Sequence, residues 1–139
     1  MDSLKEKILC ELDNLDRVLF DIKNAKPLDQ LNHIEIIGIS ALIQNFYSGI
    51  ESILKQIFKE TGIDLPYDKS WHKLLLTEAV KNKLISDNLS EKLREYLGFR
   101  HFFIHAYGFN IKKDLLTPLL KNIYVVYENF KKEINMYII

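Results

Sequence analysis

The sequence predicts an all-α antiparallel bundle of four long helices and one short one. Three observations carry that reading. Apolar residues recur at spacings of three and four through most of the chain, strand-like alternation is sustained nowhere, and glycine and proline are few, with Pro27, Gly62 and Gly108 falling where helices should stop. With 139 residues, 47% of them apolar, the chain is sized for a single domain over 1–139. A chain of that length buries roughly two thirds of its unfolded surface.

The first helix is expected from Asp2 to about Asn24, with Leu4, Ile8, Leu12, Leu15, Leu19 and Ile22 on one face and Pro27 closing it. The longest is expected over Leu28 to Thr61. Its stripe runs Ile36, Ile39, Leu42, Ile43, Phe46, Ile50, Ile53, Leu54, Ile57 and Phe58, and Gly62 is its stop. Gly38 and Gly49 mark places where another helix can come close. Ile63 to Lys69 read as a loop, and Ser70 as the N-cap of a short helix to about Asn82 with Trp71, Leu74, Leu75 and Val80 inward. A turn over Ile85 to Asn88 leads to a helix from about Leu89 to Ala106, terminated by Gly108. The last helix runs from Lys112 to Tyr137 on Leu116, Leu119, Leu120, Ile123, Val126, Tyr127 and Phe130; Pro118 either starts it or bends it. Short loops between helices make neighbours antiparallel.

Charge and composition exclude several classes of function. The 19 basic and 19 acidic residues cancel, so no global field draws the protein to nucleic acid or an anionic membrane, and any RNA contact must be local. The lone Cys10 cannot form an internal disulfide, and its place in ILCEL predicts a buried thiol, in keeping with a reducing cytoplasm. The charged start MDSLKEKIL carries no targeting segment, and no apolar run approaches the roughly 20 residues of a membrane span. A soluble cytoplasmic protein is expected. Glycine-rich phosphate loops, paired CxxC and HExxH are missing, so no cofactor or metal is expected.

The chemistry concentrates in GFRHFFIHAYG, residues 98 to 108. Of the 4 histidines, His33 and His72 read as capping or surface residues, because nothing near them in sequence supplies partners for catalysis. His101 and His105 lie four apart on one helical face but have no third ligand in the same helix for a metal. Arg100 precedes Phe102, Phe103 and Ile104, so its guanidinium heads into an apolar setting and demands an anion. That anion is either a carboxylate, such as a glutamate of the long helix, or the phosphate of a ligand. At about 100° per residue, Tyr107 shares the face of Arg100 while His105 is displaced by about 140°. The helix end must therefore unwind, or a second copy contribute, for all three to meet.

Arg100, His101, three apolar residues, His105, Ala106 and Tyr107 together resemble the R-polar-x3-H-x-Y motif of HEPN-domain proteins, specifically the HepT-type toxins paired with small nucleotidyltransferase antitoxins. The resemblance implies a metal-independent endoribonuclease, active as a homodimer whose two motifs line one cleft. It makes His105 a general base on a ribose 2′-hydroxyl or acid on the leaving 5′-oxygen, and Arg100 the holder of the phosphate. His101 stands at the motif's polar position. Tyr107 matches the tyrosine that the partner antitoxin adenylylates, although an amphipathic residue at a helix end accounts for it too. Lys73, Lys81, Lys83, Lys112 and Lys113 offer a local basic patch for RNA. The alternative is a catalytically silent HEPN-like module that binds a nucleotidyltransferase or nucleotide, with Arg100 in a structural ion pair; a plain helical interaction protein is a third reading.

Overall fold

The chain forms five α-helices among the described residues: α1 Leu4–Lys23, α2 His33–Thr61, α3 Trp71–Lys81, α4 Asp87–Phe102 and α5 Lys113–Glu133. The computed structural model describes residues 3–65, 70–107 and 111–139, with Ala106 and Tyr107 described by backbone alone. No strand occurs among them, and no helix among them is long and apolar enough to cross a membrane.

Local side chains fix the helix starts. Ser3 accepts from the Glu6 N–H at the head of α1. At α2, Asn32 accepts from the Glu35 N–H at 2.8 Å while Glu35 accepts from the Asn32 N–H at 3.0 Å, a reciprocal box that satisfies two of the otherwise unpaired donors of a first turn. Because Asn32 supplies this cap, the segment expected to open the long helix instead makes a short 3₁₀ turn, Leu28–Gln30. Gly62, at φ +77°, ends α2 in the left-handed conformation that glycine adopts without strain. Ser70 precedes α3 with helical backbone angles rather than the extended geometry of an N-cap. Ser86 accepts from the Leu89 N–H and starts α4 at Asp87, two residues earlier than its apolar pattern indicates. Its hydroxyl also donates to Glu133 at 2.9 Å, tying the start of α4 to the end of α5. Pro118 lies inside α5, which begins before it.

Helix α2 is central and packs against all four other helices. Phe46 meets Tyr96 of α4 at 5.4 Å and Tyr127 of α5 at 6.2 Å, both edge-on, the favoured aromatic geometry. The hydroxyl of Tyr96 donates to the Leu119 carbonyl at 2.7 Å and that of Tyr127 to Asp16 at 2.6 Å, so each buried phenol is satisfied. Gly49 lets α1 come close: a Cβ there would lie 2.6 Å from Leu15 Cδ2. Gly38 has no such neighbour, contrary to its expected role.

Two faces differ from the sequence pattern. In α3 the buried residues are Leu75, Leu76 and Ala79, while Leu74 is exposed, so the helix is rotated by about one position. Cys10 is exposed, not buried. It lies two residues past the buried Ile8, about 200° round the helix at 100° per residue, and so on the outer side.

Candidate functional site

The anion that Arg100 requires is Glu51. This glutamate sits two turns before the end of α2's buried stretch, and its side chain is only 4% exposed. Tyr47, Leu54 and Phe58 occupy the same stripe and are buried with it. One carboxylate oxygen, Oε1, faces Arg100 Nε at 3.6 Å, and the other, Oε2, lies 3.0 Å from His72 Nδ1. Thus α2 supplies the carboxylate, α3 an imidazole and α4 a guanidinium. The Arg100 contact is an ion pair longer than a hydrogen bond, and its buried Nε has no hydrogen-bond partner.

The placement of His72 follows from its helix. Trp71 and His72 open α3, their rings 3.6 Å apart, and Lys55 Nζ stands 4.5 Å above the Trp71 ring. Glu51 and Lys55 are one turn apart on α2, so the first turn of α3 docks across both. A cation over an indole face and a carboxylate on an imidazole fix this contact. His72 is therefore neither a cap nor a free surface residue, as its sequence setting indicated; it is held by a buried carboxylate. His33, at the first residue of α2, is exposed as expected.

The motif changes character after Phe102. Residues Phe103–Tyr107 form a π-helical turn, in which hydrogen bonds run from residue i to i+5 and the coil widens. His101 and His105 are both exposed, with ring centroids 4.3 Å apart. Phe103 is half-buried against Phe99, but Ile104 is 48% exposed and does not anchor the bundle. Within one chain, then, Arg100 turns inward to Glu51 while His101 and His105 turn outward. The expected termination at Gly108 and the side chain of Tyr107 lie outside the described residues. Of the lysines expected to form a basic patch, Lys113 donates to the Asp29 carbonyl at 3.1 Å, and Lys73, Lys81, Lys83 and Lys112 are exposed.

Burial governs the electrostatics. Loss of water holds the Glu51 carboxyl above its ordinary value, although His72, Arg100 and Lys55 pull it down. Burial likewise raises the Tyr47 phenol, helped by the negative charge of Glu51. Tyr47 is fully buried one turn before Glu51, and its hydroxyl has no hydrogen-bond partner. No group of three or more metal-ligating side chains occurs among the described residues.

A family model described as HepT-like protein matches residues 38–139, which include α2 from Gly38, the Glu51 cluster and the whole motif. The chain is a HepT-like protein. It belongs to the HepT-like HEPN family, a family related to toxins. No curated protein and no solved structure matches the chain. Within this HepT-like protein, the sequence singles out Arg100, His101, His105 and Tyr107 and points to a glutamate of the long helix without saying which, but it sets His72 aside as a capping or surface residue. The signal for Glu51 was present: a single acidic residue at the position where Tyr47, Leu54 and Phe58 set a buried stripe. His72 carried none, because its partner is 21 residues away in sequence.

Proposed function

We propose that this HepT-like protein is an endoribonuclease toxin that cleaves RNA as a homodimer without a metal ion. The reading rests on one observation: in a chain of this family, Arg100 stands in the last turn of α4 and the exposed His105 on the widened turn that follows. An exposed imidazole exchanges protons near neutral pH, and a guanidinium matches phosphate with paired hydrogen bonds. Together they supply the proton transfer and the charge stabilisation that phosphodiester cleavage needs. Reliance on the ribose 2′-hydroxyl as nucleophile makes the substrate RNA. The exposed Ile104 beside His105 suits a two-fold contact that joins two motifs in one cleft. A nucleotidyltransferase antitoxin in the cytoplasm neutralises the toxin by adenylylating Tyr107, placing negative charge beside the phosphate site.

The test is expression of wild type and His105→Ala in cells with RNA integrity followed. Wild type arrests growth and degrades RNA, whereas the variant does neither; equal harmlessness with intact RNA sinks the toxin reading. Mass spectrometry after co-expression with a neighbouring nucleotidyltransferase should show Tyr107 carrying AMP.

The Glu51–Arg100 ion pair favours a second reading, in which Arg100 is a structural cation and the domain is a silent module that binds a nucleotidyltransferase. That reading expects no RNA cleavage by the purified wild type.

A further inference from the structure

Cleavage through the 2′-hydroxyl requires two proton transfers. The 2′-oxygen gives up a proton as it bonds to phosphorus, and the bond from phosphorus to the 5′-oxygen breaks as that oxygen takes one up. The products are a 2′,3′-cyclic phosphate and a 5′-hydroxyl. Entering and leaving oxygens lie roughly in line on opposite sides of the phosphorus, so the two proton-transfer groups must approach from different directions. His101 and His105 do not meet that requirement as a pair, because their rings touch at 4.3 Å on one face of one helix end.

His72 offers an imidazole from another element: it comes from α3 rather than α4, and it shares a carboxylate with Arg100, the residue that holds the phosphate in the reading above. In the protomer it is thus the imidazole placed beside Arg100's carboxylate. Its Nδ1 lies 3.0 Å from Glu51 Oε2, and donation from Nδ1 to an ionised carboxylate corresponds to the tautomer in which Nε2 exchanges the proton. The ring remains 24% exposed although its carboxylate partner is buried. Arg100 Nε stands 3.6 Å from the same carboxylate, and a guanidinium also carries two Nη groups whose geometry matches a phosphate with paired hydrogen bonds.

We propose that His72 is the second proton-transfer residue of RNA cleavage, and that Glu51 is the positioning residue that orients both His72 and Arg100 toward the scissile phosphate. The inference rests on the ribonuclease reading. His105 and His72 divide the two proton transfers between them, and Glu51 acts only through its two partners. Among the described residues, the charged and titratable groups around His72 include Glu51 and Lys55 of α2 and Arg100 of α4, with the Tyr47 phenol one turn from Glu51 and Arg94 of α4 acting on that phenol.

The experiment uses the purified full chain, a single-stranded oligoribonucleotide, and the same oligonucleotide with 2′-O-methyl groups, which binds but lacks the nucleophile. His72→Gln keeps a side chain able to hydrogen-bond Glu51 but cannot transfer a proton. Its kcat should fall by about 10²- to 10⁴-fold, with affinity for the 2′-O-methyl RNA within about threefold of wild type, and one limb of the bell-shaped pH profile should vanish. Glu51→Gln should shift that limb and weaken 2′-O-methyl RNA binding. Added imidazole should restore part of the activity of His72→Ala, a rescue that a merely structural loss would not show. If His105→Ala is inactive while His72→Gln keeps the wild-type kcat and both limbs, this inference falls and the ribonuclease reading stands. If wild type leaves the RNA intact, or His105→Ala cleaves it equally well, the ribonuclease reading falls and this inference with it.

Discussion

The two halves of the motif make opposite uses of the same helix. Arg100 faces inward to a carboxylate buried at 4% exposure, and α2, α3 and α4 all contribute to its setting. His101, the next residue of α4, and His105, on the widened turn that follows, both face outward. The inner cluster carries a stability consequence, because a buried charge left without its partner is costly. The outer pair is free of that constraint, and side chains so exposed change stability little when replaced. An inward arginine paired with a buried carboxylate and an outward, accessible histidine are thus carried by one helix and the turn that follows it.

The comparison is most directly tested by His105→Ala, which should lower RNA cleavage by at least about 10²-fold yet leave the unfolding free energy from urea titration within about 0.5 kcal/mol of wild type. A matching loss of stability would show that the outer half is structural after all. Arg100→Ala should abolish cleavage and also destabilise the fold by about 3 kcal/mol, since it strips Glu51 of its guanidinium partner; thermal and urea unfolding report this. An undiminished midpoint would place the Glu51 charge in better contact with water than its burial indicates.

A pH series on Glu51→Gln gives a smaller effect with a definite sign. Burial holds the Glu51 carboxyl above its ordinary value of 4.5. Its contribution to stability is therefore full below 4.5 and is lost as the pH rises through the folded-state value. Glutamine has no such loss, so the stability of Glu51→Gln relative to wild type should rise as the pH climbs above 4.5, measured by urea unfolding. The opposite trend would mean that the ion pairs with His72 and Arg100 outweigh burial. The smallest effect belongs to Tyr47→Phe. Removing a buried hydroxyl that has no partner should raise stability by about 1 kcal/mol, read as an upward shift in Tm; a fall would reveal an unseen partner, such as an ordered water.

Much of this was legible in the chain. The stripes of α1, α2 and α5 are long and regular, so their buried faces are those the spacing indicates, from Ile8 and Leu12 through Ile53 and Leu54 to Ile123 and Phe130. The short α3 was read one position out, because 11 residues hold too few apolar positions to fix a phase. Cys10 was misplaced for a related reason: flanking apolar residues in ILCEL do not share a face with a residue two positions along.

The sequence by itself determined the helical bundle and the local motif, since both depend on residues within a few turns of one another. It also required that Arg100 have an anion. Only the tertiary structure decided which anion, because Glu51 stands 49 residues before Arg100 and His72 lies on a third helix. Local spacing cannot encode a contact made by three helices packing together. Burial then gave the carboxylate its raised proton affinity, and packing set one half of the motif inward and the other outward.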